Sequence, residues 1–120
     1  MKRILICEDE PDVQLSLKKA LERLNYEVFS AVDGKKALEL IKKLELDLVI
    51  LDIRMPKLDG IEVAKEIRKF DARTKIIFIS AFQGPEISKE AAKYDIVDYI
   101  VKPTTSEEIL KVVQKALPEA

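Results

Sequence analysis

Carboxylates, a hydroxyl and an ammonium follow directly on short apolar runs in this chain of 120 residues. Glu8-Asp9-Glu10 comes after the run 4–7, Asp52 after 48–51, Ser80 after 75–79, and Lys102-Pro103 after 98–101. If those runs lie side by side, the groups share one rim. Glu8, Asp9 and Asp52 then repel one another, by about 4 kcal/mol for a pair at ~4 Å in an effective dielectric near 20. A bound cation relieves that repulsion, and an all-oxygen, carboxylate-rich set suits Mg2+ better than zinc. A carboxylate beside Mg2+, with a lysine and a hydroxyl in reach, is equipped to accept a phosphoryl group. Asp52 attacks in line, while the metal and Lys102 stabilise charge on the phosphoryl oxygens. Each residue alone also has an ordinary reading. Asp9 or Glu10 could cap a helix, Asp52 could form a turn, Ser80 could be a loop hydroxyl, and Lys102 could be a solvated charge.

The elements that must position these groups alternate along the chain. Apolar runs at 4–7, 27–31, 48–51, 75–79 and 98–101 are separated by stretches of helical period. The first, third and fourth runs lack inside/outside alternation, as strands covered on both faces do. The second is mixed and ends at the apolar Ala31, which suits an edge strand outside the site. A first helix after Pro11 puts Val13, Leu17, Ala20, Leu21 and Leu24 on one stripe. A second follows Asp33-Gly34, with Ala37, Leu38, Ile41 and Leu44 inward. A third spans about 60–70 with Ile61, Ala64 and Ile67 inward. A fourth, at about 85–94, has only Ile87, Ala91 and Ala92 as an apolar side, so it is expected to be the most loosely held. The last opens on Thr105-Ser106-Glu107-Glu108, a capping-box pattern, and buries Ile109, Val112, Val113 and Ala116. Strict alternation with short connections implies an α/β fold, a single doubly wound (βα)5 domain over residues 1–120. Ligands of such sheets bind beyond the carboxyl ends of the strands, where the polar groups fall.

Composition narrows the function classes. Lys+Arg is 21 and Asp+Glu is 22, for a net charge of -1, which argues against nucleic-acid binding by this domain. No apolar run approaches the roughly 20 residues of a membrane span. Cys7 is the lone cysteine and the start lacks a signal-peptide pattern, so a cytoplasmic, reducing setting is expected. The chain has no histidine, which removes imidazole base chemistry and most zinc sites.

Glu8-Asp9, the stretch LDIRMPKLDG from Leu51 to Gly60, Ile79-Ser80-Ala81 and Tyr99-Ile100-Val101-Lys102-Pro103 together resemble the receiver domains of two-component response regulators. The resemblance runs from about Lys2 to Leu117 in the family's order and spacing. It implies a flavodoxin-like, five-stranded parallel sheet of order 2-1-3-4-5. It implies Asp52 as phosphoacceptor, Asp9 and Asp52 as Mg2+ ligands, Glu8 acting on the metal through water, and the Arg54 backbone carbonyl as a further ligand. By the same resemblance Lys102 pairs with the phosphoryl group, Ser80 hydrogen-bonds it on arrival, Tyr99 turns inward in the active state, and Pro103 follows a cis peptide bond. Thr104 stands where the family often has an aromatic, Asp95-Ile96 replaces a common Gly-Ala, and Ser80 replaces a commoner threonine.

Site residues and resemblance together imply a phosphorylation-activated switch of a two-component or phosphorelay system. With no histidine of its own, the chain must take its phosphoryl group from a partner, a sensor histidine kinase or histidine phosphotransfer protein, or from an acyl phosphate. The message passes to an output protein or domain that the sequence does not name, through the surface of the fourth helix, fifth strand and fifth helix. Such a protein catalyses its own phosphorylation and dephosphorylation but turns over no external substrate. The alternative is a receiver-like scaffold that works by contact without phosphorylation. A haloacid-dehalogenase-type phosphatase needs Asp-x-Asp after its first strand, which Glu8-Asp9-Glu10 does not supply. A flavin binder needs a Ser/Thr/Gly-rich loop there, and Pro11-Asp12 offers none.

Overall fold

The computed structural model describes residues 1–54, 58–81 and 85–118. Strands and helices alternate as β1 (Arg3–Cys7), α1 (Pro11–Glu22), β2 (Glu27–Ala31), α2 (Gly34–Lys43) and β3 (Leu48–Asp52), then α3 (Gly60–Phe70), β4 (Lys75–Ser80), α4 (Pro85–Lys93), β5 (Asp98–Val101) and α5 (Ser106–Ala116). All strand pairs are parallel, in the order β2-β1-β3-β4-β5. The expected fold class and strand order therefore hold. The order reverses between β1 and β3, so the carboxyl ends of those two strands flank the switch point where α/β sheets bind ligands.

Continuous apolar runs become inner strands because both faces of each are covered. Every residue of β3 is buried, and so is all of β4 after Lys75. Alternate residues feed two cores. Ile4, Ile6, Ile50, Ile77 and Ile79 pack with Leu17 and Leu21 of α1 and with Ile109 and Val113 of α5. Leu5, Cys7, Val49, Leu51, Ile76 and Phe78 pack with α2 and α3, with Ile87 and Ala91 of α4 at the margin. By this alternation Asp52 shares the α1/α5 face with Ile50.

Caps fix where three helices begin. The side chains of Asp33, Asp59 and Thr105 accept from the backbone N–H of Lys36, Glu62 and Glu108. The capping box is only half made, since Glu108 accepts from the Thr104 hydroxyl at 2.9 Å. Glu10 sits at the N-cap of α1 without a side-chain cap bond, so that acid does not have the capping role open to it from sequence.

Several inward assignments shift. Val13 is 41% exposed, and α1 stops at Glu22, leaving Leu24 beyond it and exposed. Asn25 closes that end in the left-handed region, with Tyr26 N–H reaching back to Leu21 O at 3.4 Å. Val63, absent from the expected stripe of α3, is fully buried, whereas Ile61 is half-buried. α4 stops at Lys93, leaves Ala92 exposed and buries no residue, in keeping with the expectation of loose anchoring. No helix among the described residues is long and apolar enough to cross a membrane.

Candidate functional site

β1 and β3 run in register, Cys7 beside Leu51, so the next residues, Glu8 just past β1 and Asp52 at the end of β3, stand side by side. The carboxylates of Glu8, Asp9 and Asp52 lie within 4.8 Å of one another, with Glu8 and Asp52 buried and Asp9 exposed. Lys102 arrives from the end of β5. Its ammonium donates to Asp52 Oδ2 at 2.6 Å and to Glu8 Oε1 at 3.3 Å. The Lys102-Pro103 peptide is cis, as the resemblance implied. Asp52 Oδ1 accepts from the Arg54 backbone N–H at 3.0 Å, and Glu8 Oε2 from the Asp9 N–H at 3.0 Å.

Among the described residues, Asp52 and Glu8 share the ammonium of Lys102, with Asp9 close by. The consequence falls on Glu8. Burial, together with the hydrogen bond and negative charge of Asp52, pushes its carboxyl up to about 7, although Lys102 pulls the other way. For Lys102, burial lowers the pKa, but the Asp52 hydrogen bond and the charges of Asp52 and Glu8 outweigh it and raise it. The donor set is all carboxylate oxygen and clustered, with one member open to solvent. Those are the features of a site for a hard divalent cation that keeps part of its water, and Mg2+ fits.

Ser80 ends β4, one residue beyond Ile79, the register partner of Asp52, and is buried. Tyr99 packs on the α2/α3/α4 face of the sheet. Its hydroxyl is buried and has no hydrogen-bond partner among the described residues. Arg54 is exposed just past β3. The structure thus brings Glu8, Asp9, Asp52 and Lys102 together on one rim, with Arg54 and Ser80 on adjoining strand ends. Tyr99 lies on the other side of the sheet. Met55, Pro56 and Lys57 of the motif stretch lie outside the described residues. Cys7 is core, and burial holds its thiol far above its usual range.

Two supporting residues have roles that only the contacts reveal. Gln14 of α1 donates from one amide nitrogen to the carbonyls of Glu8, at 3.2 Å, and Ala31, at 3.0 Å, tying the helix to the ends of β1 and β2. Gly60 donates its N–H to Ile53 O at 2.9 Å, and a Cβ there would stand 2.5 Å from Asp52 O, so α3 can press against the backbone of Asp52 only through glycine. A glutamine at a helix start is ordinary in sequence, and Gly60 belongs to the motif stretch without its packing role being legible there; only the contacts show both roles.

Comparison with known proteins points to one family. The model of the response regulator receiver domain family matches residues 4–114. The regulatory protein AtoC of Escherichia coli is 38% identical over 117 residues, which make up 98% of this chain and 25% of AtoC. The chemotaxis protein CheY of Thermotoga maritima is 37% identical over 115 residues, 95% of this chain and 96% of that protein. The chain therefore spans a quarter of one relative and nearly the whole of another. Among solved structures, the response regulator protein TrrA of Thermotoga maritima, in complex with Mg(2+)-BeF, is 38% identical with a TM-score of 0.84, over 98% of this chain and 100% of that one.

Proposed function

We propose a function from one premise: the chain belongs to the response regulator receiver domain family, whose members are signalling switches of two-component systems. On that premise Asp52 is the phosphoacceptor, and phosphorylation is the event that activates the switch. The observation that carries the reading is the Asp52–Lys102 pair at 2.6 Å inside a cluster of three carboxylates.

Asp9 and Asp52 would hold Mg2+ through their carboxylates, Glu8 through water, and Arg54 through its backbone carbonyl. The bound metal would offset the carboxylate charge and that of the incoming phosphoryl oxygens. The protein's own groups do the rest. Arg54 N–H fixes one oxygen of Asp52, leaving the other to attack phosphorus, and Lys102 moves from that oxygen to the phosphoryl group. Ser80 hydrogen-bonds the phosphoryl group as it arrives. That draws the end of β4 inward and biases the loop before α4, so the face of α4, β5 and α5, with Tyr99 beneath it, changes its equilibrium. The donor is a sensor histidine kinase, a histidine phosphotransfer protein or an acyl phosphate. The receiver of the message is a separate protein or a domain beyond the part described.

Incubation with acetyl phosphate and Mg2+, followed by intact mass, tests the assignment. Wild type is expected to gain one phosphoryl group, and Asp52→Asn none while keeping its fold by circular dichroism. Labelling of Asp52→Asn at the wild-type rate would show the acceptor to be another residue.

A further inference from the structure

Asp9 is held differently from the other two acids. Glu8 and Asp52 are buried and accept from the Lys102 ammonium at 3.3 and 2.6 Å, whereas Asp9 is exposed. The place of an exposed side chain follows from the backbone that carries it, and one residue grips that backbone on both sides of Asp9. Gln14 of α1 donates from its side-chain nitrogen to Glu8 O at 3.2 Å and from its backbone N–H to Glu10 O at 3.0 Å. The second hydrogen of the same amide nitrogen goes to Ala31 O at 3.0 Å, which also accepts the Glu8 N–H at 3.1 Å. The grip is thereby moored to the end of β2. Glu10, at the N-cap of α1, makes no side-chain cap bond, and Gln14, one turn in, ties the start of the helix to the strand ends instead.

We propose that Gln14 is a positioning residue for the metal site. It fixes the chain on both sides of Asp9 and so holds the Asp9 carboxylate beside those of Glu8 and Asp52 before the cation arrives. The inference rests on Asp9 and Asp52 as Mg2+ ligands. Both hydrogens of the Gln14 amide nitrogen are spent on carbonyls, so its effect falls on how tightly Mg2+ binds and not on the transfer to Asp52. Outer groups that orient metal ligands typically contribute about 10–100-fold in affinity. Gln14 acts through the backbone, which points to the lower end of that range.

Gln14→Met keeps the length and helix preference of the side chain and removes both donors. Calorimetric titration of the whole protein with Mg2+ is expected to give a dissociation constant about tenfold above that of wild type. Labelling of Asp52 by acetyl phosphate is expected to need correspondingly more Mg2+ to reach half its maximal rate, while the rate at saturating Mg2+ stays within about twofold of wild type. Leu21→Val, which loosens the buried packing at the other end of the same helix, is expected to leave the Mg2+ constant unchanged. Wild-type affinity in Gln14→Met would overturn the positioning role and leave the metal site standing. Equal weakening of Leu21→Val would overturn it as well, since loosening the helix would then suffice. A saturating rate that falls along with the affinity would overturn it too, by moving the effect of Gln14 to the transfer. No Mg2+ binding by wild type would overturn the metal reading and this inference together.

Discussion

At the scale of single residues, the site is governed by burial and by carboxylates held close together. Lys102 neutralises Asp52 at close range, and Glu8, third in the cluster, bears the cost through a carboxyl raised to about 7. The sign of its pH effect is set by that rise. Between the ordinary carboxylate value of 4.5 and about 7, the folded chain keeps a proton that the unfolded chain has lost. Stability contributed by this group is therefore intact below that window, falls as pH rises through it, and is fully lost above it. In metal-free protein, Glu8→Gln is expected to match wild type near pH 4 and to become the more stable of the two by pH 8, as read from urea melts across that range. A constant difference between the two proteins at all pH values would contradict the raised carboxyl. The acids could be picked out from sequence because they follow apolar runs, but the raised carboxyl of Glu8 could not. That rise depends on its burial and on the hydrogen bond and charge of Asp52 beside it, which only the fold supplies.

Among the elements, α4 differs from the rest in having no buried residue, and a hydrogen-bond hub holds its far end. Arg68 of α3 donates to Tyr94 O at 2.7 Å and Asp95 O at 3.3 Å, just past α4, and to Thr74 O at 2.8 Å and Asp71 O at 3.2 Å in the turn before β4. Asp95 holds a left-handed conformation, with φ of 59°, and Ile96 N–H returns to Ala91 O at 2.9 Å. Hydrogen bonds from a charged donor contribute about 1.5–3 kcal/mol each when their loss strands a partner. Arg68→Met is therefore expected to lower stability by about 2–3 kcal/mol and to speed amide exchange in α4 more than in α1. Uniform exchange across the two helices would show that Arg68 does not anchor α4. At the other end of the domain, Thr105→Ala removes the α5 cap and is expected to cost about 1 kcal/mol in a denaturant melt. The weakness of α4 was legible from its thin apolar side, and the cap of α5 from its residue order. The arginine hub was not, because its carbonyl partners are separated from it by up to 27 positions.

For the whole molecule, the sheet brings distant strand ends to one rim, and a divalent cation bound there would couple them. Anything that binds the folded chain alone stabilises it, by about 2.7 kcal/mol at a hundredfold excess over its dissociation constant. Mg2+ is accordingly expected to raise the melting temperature of wild type by calorimetry and to raise that of Asp9→Asn less; equal shifts would remove Asp9 from the site. The sequence by itself determined the alternation of strands and helices, the one-core-per-face logic of the sheet and the residues at its carboxyl rim. Those features come from local periodicity and from which side chains must be buried. Only the tertiary structure decided that Val13 lines a cleft between α1 and α5 instead of the core, that Gln14 bonds the carbonyl of Glu8 while Gly60 bonds that of Ile53 and lies against that of Asp52, and that Lys102 reaches both acids. Those facts depend on contacts between segments up to 94 positions apart, and no periodicity along the chain encodes a distance across it. Asp52 is an acid at a strand end in the sequence; the fold makes it an acid held between an ammonium and a backbone amide, at the head of an apolar cleft.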